Sequence, residues 1–205
     1  MKNQKEIFDA ISLKCSKITT KEYSTSFSLA IKLLDKEYQN AIYSIYGFVR
    51  LADEIVDSFH DYNKHKLLNE LRHSTINAVD ENISLNPIIN SFQKVVKKYK
   101  IEWDLIDSFL DSMEYDLSNK TCNKETYKKY IQGSAEAVGL MCLKIFTNKK
   151  EGQYKQLKPY AESLGSAFQK INFLRDMNED YNALNRIYFP NLNIKTFSNN
   201  EKKNN

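Results

Sequence analysis

Two pairs of aspartates, each spaced four residues apart, lie far from one another in a chain of 205 residues. The first pair is Asp53 and Asp57, and the second pair is Asp176 and Asp180. On an α-helix this spacing places both carboxylates of a pair on one face. Apolar residues surround each acidic stripe, which is the pattern of a helix buried inside a protein. Because an unpaired carboxylate is costly to bury, the two helices predict an interior site that binds a metal ion or another cation.

The rest of the chain favours helices throughout. Only 5 Gly and 3 Pro are present, and no stretch combines strict alternation with turn signals on both sides. The pattern predicts an all-α fold with one core, and it predicts a loop or helix start over 19–27. Helices are predicted near 3–17, 37–59, 62–82, 87–100, 102–118, 124–147 and 151–182.

Composition narrows the class of protein. The first nine residues lack a signal-peptide core and no apolar run reaches the roughly 18 residues that span a bilayer, so a cytoplasmic location is predicted. Cys15, Cys122 and Cys142 lack metal-ligand spacing and are interpreted as reduced packing residues. A net charge of +4 with scattered lysines argues against a nucleic-acid partner. The excess of positive charge would suit a peripheral contact with the inner membrane face, or it simply belongs to a surface exposed to water.

Five motifs span 23–27, 41–50 together with the first acidic pair, 133–139, 164–176 and 186–190. They occur in the order found in squalene and phytoene synthases, and the chain resembles this family from about Phe8 to Pro190, bacterial phytoene synthases most of all. The resemblance implies an isoprenoid-synthase-type helical bundle around a central cavity.

The resemblance also implies roles for individual residues. The metal ligands would be Asp53, Asp57, Asn172, Asp176 and Asp180. Contacts to the substrate diphosphate would come from Tyr23, Ser24, Thr25, Ser26, Tyr46, Arg50, Gln169 and Arg175. The catalytic set would be the four aspartates with Arg50. The implied cofactor is Mg²⁺, with Mn²⁺ as a substitute. The absence of a Gly-rich dinucleotide motif argues against a nicotinamide.

The implied activity is that of a prenyltransferase, a phytoene synthase of carotenoid biosynthesis. It would join two geranylgeranyl diphosphates head to head through prephytoene diphosphate. Two alternatives stay open: a squalene or dehydrosqualene synthase that uses farnesyl diphosphate at the same site, and a non-catalytic truncated fragment. Phe27, Tyr43 and Tyr46 are candidates for stabilising a carbocation, or they are ordinary core residues.

The chain departs from the family in two places. Ile131 and Gln132 follow Tyr130 where relatives commonly have a second aromatic residue. Relatives also continue for several helices beyond 186–190, so the sequence predicts a domain over 1–190 that is incomplete at its C-terminus. Residues 191–205 are predicted to be a polar, disordered tail, and the chain alone is expected to have weak or no synthase activity.

Two further acidic patterns are interpreted as surface features. Asp107 and Asp111 form a third pair beside Glu114, but apolar residues occupy the opposite side of that helix, which indicates a wet acidic face. Glu70 and His73 have the spacing of a di-iron motif. A di-iron bundle needs a second copy of that motif and two more Glu residues, and the sequence contains no such set.

Overall fold

The structure is a computed structural model that describes residues 3–118, 122–182 and 186–190. Within these residues there are helices and no β-strand, so the all-α prediction is confirmed. The helices are α1 Gln4–Tyr23, α2 Thr25–Leu33, α3 Lys36–Asp57, α4 Lys64–Glu81, α5 Pro87–Tyr99, α6 Trp103–Ser118, α7 Lys124–Ile131, α8 Ala137–Thr147 and α9 Glu151–Asn182. A π-helical turn, Gln132–Glu136, joins α7 to α8.

Asparagine side chains begin several of the helices. Asn63 and Asn123 each accept hydrogen bonds from backbone N–H groups of the first turn that follows. Asn86 does the same ahead of Pro87, as the sequence predicts. Each cap satisfies backbone donors that have no partner within the helix, which contributes about 1 kcal/mol.

Helix α3 runs through the main core, in contact with α1, α4, α5, α6 and α8. Its side chains Ile45, Phe48 and Ala52 are completely buried. The ring of Phe48 stacks on Phe92 of α5 with a centroid distance of 4.0 Å. The prediction that the first acidic helix is buried is therefore correct.

Helix α1 packs against α3 through small polar residues. Ser12, Ser16 and Thr20 form its buried stripe, and the hydroxyls of Ser16 and Ser91 lie 2.6 Å apart. A Cβ atom on Gly47 would come within 2.8 Å of the Ser16 side chain. Glycine at this position therefore permits the close approach of the two helices.

The segment 19–27, predicted to be a loop or a helix start, contains a helix start and almost no loop. Helix α1 continues to Tyr23, and Ser24 alone separates it from α2. The Thr20 hydroxyl donates to the Ser16 carbonyl, so it does not compete with the helix. The Ser24 side chain accepts from the Phe27 N–H and caps α2. The hydroxyl groups that suggest a loop are thus used inside and between two helices.

The helix predicted over 124–147 is interrupted by the π-helical turn. A Cβ atom on Gly133 would lie 2.4 Å from the Ser108 carbonyl oxygen, so only glycine allows this turn to pack so closely on α6. The predicted tail, 191–205, lies outside the described residues. No helix in the described part of the chain is long and apolar enough to cross a membrane.

Candidate active site

A cavity of about 850 Å³ lies between α2, α3, α6, α8, α9 and the segment 186–190, and both aspartate pairs line it. Two distant parts of the sequence therefore face one space, as the sequence analysis predicts. Much of the remaining wall is apolar. Apolar side chains in that wall include Ile31, Leu34, Val49, Met113, Val138, Leu143 and Phe146.

The first pair, Asp53 and Asp57, comes from the last turns of α3. The side chains are 30% and 41% exposed, so they face the cavity and not the sealed core. Removal from bulk water raises the pKa of Asp53 to about 7, and the charge of Asp57 adds to this, while Arg50 opposes it. Two carboxylates so placed repel each other, which favours a bound cation.

The second pair lies on α9, where Gln169, Asn172, Asp176 and Asp180 all line the cavity. Arg175 donates to both carboxylate oxygens of Asp176, at 2.7 and 2.6 Å. This fork-to-fork pair orients Asp176.

The prediction that α9 is buried is wrong. Phe173 is buried, but Leu164, Phe168 and Ile171 are each 58–59% exposed. These side chains are exposed because few elements cover α9. In the described part of the chain, α8 and the π-helical turn are the main elements packed against it. Apolar periodicity indicates which residues favour burial, but it does not show whether another helix covers them.

The N-terminal candidates divide into two groups. Ser26, Phe27 and Tyr46 line the cavity, and the rings of Phe27 and Tyr46 lie 3.8 Å apart. Ser24 and Thr25 do not line it. Both stand at the start of α2, where Ser24 is the cap.

Arg50 and Tyr23 form a pair beside the cavity and do not line it. The guanidinium lies 4.3 Å from the centre of the Tyr23 ring and donates to Glu54. The Nε atom of Arg50 is buried and has no hydrogen-bond partner. Tyr23 therefore holds Arg50 by a cation–π contact.

Tyr43, a candidate for stabilising a carbocation, belongs to the core. It is 2% exposed, and Lys17 lies 5.4 Å from the centre of its ring. It is not part of the cavity wall, so its interpretation as a core residue is correct.

Sequence analysis missed a polar cluster around Asp116 of α6. The Asp116 carboxylate accepts from the Tyr130 hydroxyl at 2.6 Å and from the Tyr188 hydroxyl at 3.2 Å. Burial raises the pKa of Asp116 to about 7, against the opposing charge of Arg186. One signal was available, because Asp116 lies seven residues after Phe109 and hence on the apolar face of α6.

Arg186 connects this cluster to the first aspartate pair. Its Nη1 atom donates to Asp57 at 2.8 Å. The motif 186–190 was recognised in the sequence, but no role for Arg186 followed from it. Tyr188 stacks on Phe173 of α9 with a centroid distance of 4.4 Å, which fixes the segment against the bundle.

The cavity wall contains a thiol that burial keeps protonated. Cys142 of α8 lines the cavity, and removal from water raises its pKa to about 12. A neutral thiol is a weak nucleophile. The three cysteines are free, as predicted.

The donor atoms of the two pairs fit a hard divalent cation. Carboxylate and amide oxygens are the ligands that Mg²⁺ prefers, together with water and phosphate oxygens. No three His, Cys, Asp or Glu side chains of the described residues converge on one point. Each helix would thus contribute part of a coordination sphere that waters and substrate phosphates complete.

The two surface patterns lie where the sequence predicts. Asp107 and Asp111 both pair with Arg72 of α4 on the outside of the bundle. Glu70 pairs with Lys66 at 3.8 Å, and the His73 ring contacts the backbone of its own helix. None of these side chains lines the cavity.

Comparisons with known proteins agree with this arrangement. The sequence model of a family described as squalene/phytoene synthase matches residues 20–203. A 4,4'-diapophytoene synthase of Staphylococcus haemolyticus is 26% identical over 183 residues, which cover 87% of this chain and 62% of that protein. A phytoene synthase of Mycobacterium bovis is 27% identical over 174 residues, which cover 83% of this chain and 55% of that protein.

Solved structures share the fold. The crystal structure of a dehydrosqualene synthase in complex with a ligand superposes with a TM-score of 0.78 at 24% identity, and the match covers 89% of this chain and 62% of the other. This confirms the isoprenoid-synthase-type bundle. The chain spans 55–62% of the length of these two relatives and of this structure.

Proposed function

This chain belongs to the squalene/phytoene synthase family, and on that premise we propose that it joins two molecules of geranylgeranyl diphosphate head to head into phytoene, with Mg²⁺ as the cofactor. One observation carries the proposal: α3 and α9 present their aspartates to the same largely apolar cavity. The acidic residues suit the diphosphates, and the apolar wall suits the prenyl chains. A cytoplasmic location and a role in carotenoid biosynthesis belong to the same proposal.

The acidic residues act on the leaving group. Asp53, Asp57, Asn172, Asp176 and Asp180 would hold Mg²⁺, which would neutralise the negative charge that develops on a departing diphosphate. Gln169 and Arg175 line the same space and offer hydrogen-bond donors to phosphate oxygens. Arg50 contributes its charge from beside the cavity, held by Tyr23.

The proposed reaction has two stages. In the first, one substrate loses diphosphate, its C1 bonds to the double bond of the second substrate, and a proton leaves as the cyclopropane of prephytoene diphosphate closes. In the second, the remaining diphosphate leaves, the carbon skeleton rearranges, and loss of a proton gives phytoene. Two diphosphates and two protons balance the sum.

The apolar wall protects the cationic carbon atoms. The faces of Phe27 and Tyr46 offer cation–π stabilisation of up to about 2 kcal/mol when water is excluded. The protonated thiol of Cys142 keeps a reactive thiolate out of the cavity. These features lengthen the lifetime of a carbocation.

A second candidate uses farnesyl diphosphate at the same site and makes dehydrosqualene. The observation in its favour is that one relative is named 4,4'-diapophytoene synthase and that a matching solved structure is a dehydrosqualene synthase. The acidic residues would have the same roles in both reactions. The length of the prenyl chain is what distinguishes the two candidates.

The test is an incubation of purified protein with Mg²⁺ and either the C20 or the C15 diphosphate, followed by analysis of the lipid extract. The proposal expects phytoene from the C20 substrate, in low yield from the 205-residue chain alone, and none after chelation of the metal. A C30 product alone would establish the second candidate. Product formed equally well in the presence of excess chelator would contradict the metal assignment.

A second arm of this test addresses the exposed side of α9. Because Leu164 and Phe168 line the cavity and are more than half exposed, water reaches the cavity from that side. We expect little product from the 205-residue chain alone. Joining to it the part of the Staphylococcus haemolyticus relative that lies beyond the match should increase the yield. An ordinary enzymatic rate from the unextended chain would show that water access at α9 does not limit the reaction.

A further inference from the structure

Arg186 contacts both acidic helices at once. Its backbone N–H donates to the carbonyl of Asp180 on α9 at 2.9 Å. Its side chain crosses to α3 and donates from Nη1 to Asp57 at 2.8 Å. The side chain is only 9% exposed, so the guanidinium is held in place and shielded from bulk water.

Asp116 provides a second carboxylate in the wall of the same cavity. Asp116 is 8% exposed, and two tyrosine hydroxyls, from Tyr130 and Tyr188, fix its orientation. Arg186 and Asp116 influence each other electrostatically, because each changes the pKa of the other. The guanidinium therefore lies in the field of two carboxylates and forms a direct ion pair with one of them, Asp57.

Two cations cannot share Asp57 without repulsion. A divalent cation at the first aspartate pair would meet the guanidinium already bonded to one of the carboxylate oxygens. A doubly charged ion and a guanidinium on the same carboxylate repel each other strongly, because a buried site screens their charges less than water does. One of the two must move. Asp116 lines the same cavity as Arg186 and accepts from Tyr188, two residues beyond Arg186, so Asp116 is the carboxylate toward which the guanidinium can shift.

We propose that Arg186 is a built-in counter-ion of the first aspartate pair, that a divalent cation displaces it from Asp57, and that Asp116 stabilises the displaced guanidinium. This inference rests on the proposed function, since it assumes that Asp53 and Asp57 bind a metal. It gives Arg186 and Asp116 positioning roles with opposite effects on metal affinity. Arg186 competes with the ion, and Asp116 relieves that competition.

The opposite signs are the test of the proposal. Arg186→Gln removes the competitor, so Mg²⁺ should bind about fivefold more tightly than to the unaltered chain. Asp116→Asn removes the carboxylate that stabilises the displaced guanidinium, so Arg186 stays bonded to Asp57. Mg²⁺ should therefore bind about fivefold more weakly. A role in folding alone would shift both affinities in the same direction.

The experiment is isothermal titration of the 205-residue chain with MgCl₂ in the absence of substrate. The matched control is Arg72→Gln, because Arg72 also bridges two aspartates, but on the outer surface. Its affinity for Mg²⁺ should stay within about twofold of the unaltered value. Arg186→Lys keeps the positive charge and should stay within a similar range, whether or not Arg186→Gln folds.

The outcomes separate a failure of the counter-ion hypothesis from a failure of the metal site. Opposite shifts in Arg186→Gln and Asp116→Asn support the counter-ion. Equal or parallel shifts in these variants, with normal Mg²⁺ binding by the unaltered chain, overturn the counter-ion and leave the metal site intact. If Arg186→Gln does not fold, an unchanged affinity in Asp116→Asn overturns it. No Mg²⁺ binding by the unaltered chain overturns the counter-ion, and the metal assignment is then decided by the chelation test with substrate, because substrate phosphates complete the coordination sphere.

Discussion

Helices α3 and α9 have the same sequence pattern and opposite surroundings. Each has two aspartates four residues apart among apolar side chains. On α3 the apolar residues Phe48 and Ala52 are completely buried, whereas on α9 Leu164 and Phe168 are more than half exposed. The comparison shows that a carboxylate stripe identifies the side of a helix that faces a cavity, while the cover on its other sides depends on neighbours that the stripe does not reveal.

The sharpest way to test this difference is to remove one aromatic ring from each helix. Phe48→Ala should lower the free energy of unfolding by about 3–5 kcal/mol, because it leaves a hole beside Phe92 in the core. Phe168→Ala should change it by no more than about 0.5 kcal/mol, as is usual for surface positions. Urea denaturation measures both values. A comparable loss in the two variants would mean that α9 is covered in solution.

The next test asks whether the two helices are equal in chemistry although they differ in burial. Asp53→Ala and Asp176→Ala should each reduce turnover at least about a hundredfold, as is typical for loss of one preorganised electrostatic group. Stability should hold or rise, since removal of a carboxylate relieves repulsion. Steady-state kinetics in a form of the protein that converts substrate would measure the effect. Near-normal turnover of either variant would remove that helix from the metal site.

The surroundings of α3 also predict a dependence on pH. The pKa of Asp53 rises from the ordinary 3.8 to about 7 on folding, so the ionised carboxylate destabilises the folded state. This penalty is absent below about pH 4, grows as the pH rises, and is complete above about pH 7. In metal-free buffer, Asp53→Asn should raise the midpoint of thermal unfolding at pH 8, by about 2–4 °C, and leave it unchanged at pH 4. The same increase at both pH values would point to a cause other than ionisation.

The smallest effect is expected on the outer surface, away from both helices. Asp107→Ala and Asp111→Ala remove exposed partners of Arg72. Exposed ion pairs contribute about 0.2–1 kcal/mol, and neither aspartate lines the cavity. Activity should therefore stay within about threefold of the unaltered value in a kinetic assay. A strong defect that extra Mg²⁺ repairs would place a metal site on α6.

Periodicity in the sequence was sufficient to predict the buried helix and the face of each aspartate pair. Asp53 and Asp57 lie in register with Tyr46, and Asp176 and Asp180 with Gln169, so these six residues could be assigned to two helix faces from the sequence, and all six line the cavity. Such predictions succeed because helical geometry alone decides which residues share a face.

Features that depend on contacts between distant residues could not be predicted in this way. The second helix, α2, forms because Ser24 can act as a cap, and a Ser- and Thr-rich stretch is equally typical of a loop. Asp116 acquires its role only where Tyr130 and Tyr188 meet it. The pairing of Arg186 with Asp57 joins residues 129 positions apart. No local pattern encodes that distance.

The π-helical turn between α7 and α8 changes the direction in which the side chains of α8 point around the helix axis. An α-helix advances about 100° per residue, so Val138 would lie about 80° around the axis from Tyr130 in an uninterrupted helix. A π-turn accommodates one extra residue in the same rotation, which brings the two side chains to within about 20° of each other. Both of them line the cavity. Deletion of a single residue from Gln132–Glu136 would convert the π-turn into regular α-helix and leave α8 in the same phase relative to α7, so Cys142 and Val138 would still face the cavity. Conversion of the turn into regular α-helix without a deletion would instead rotate α8 by about 100° and turn both side chains away, with no substitution in the cavity wall.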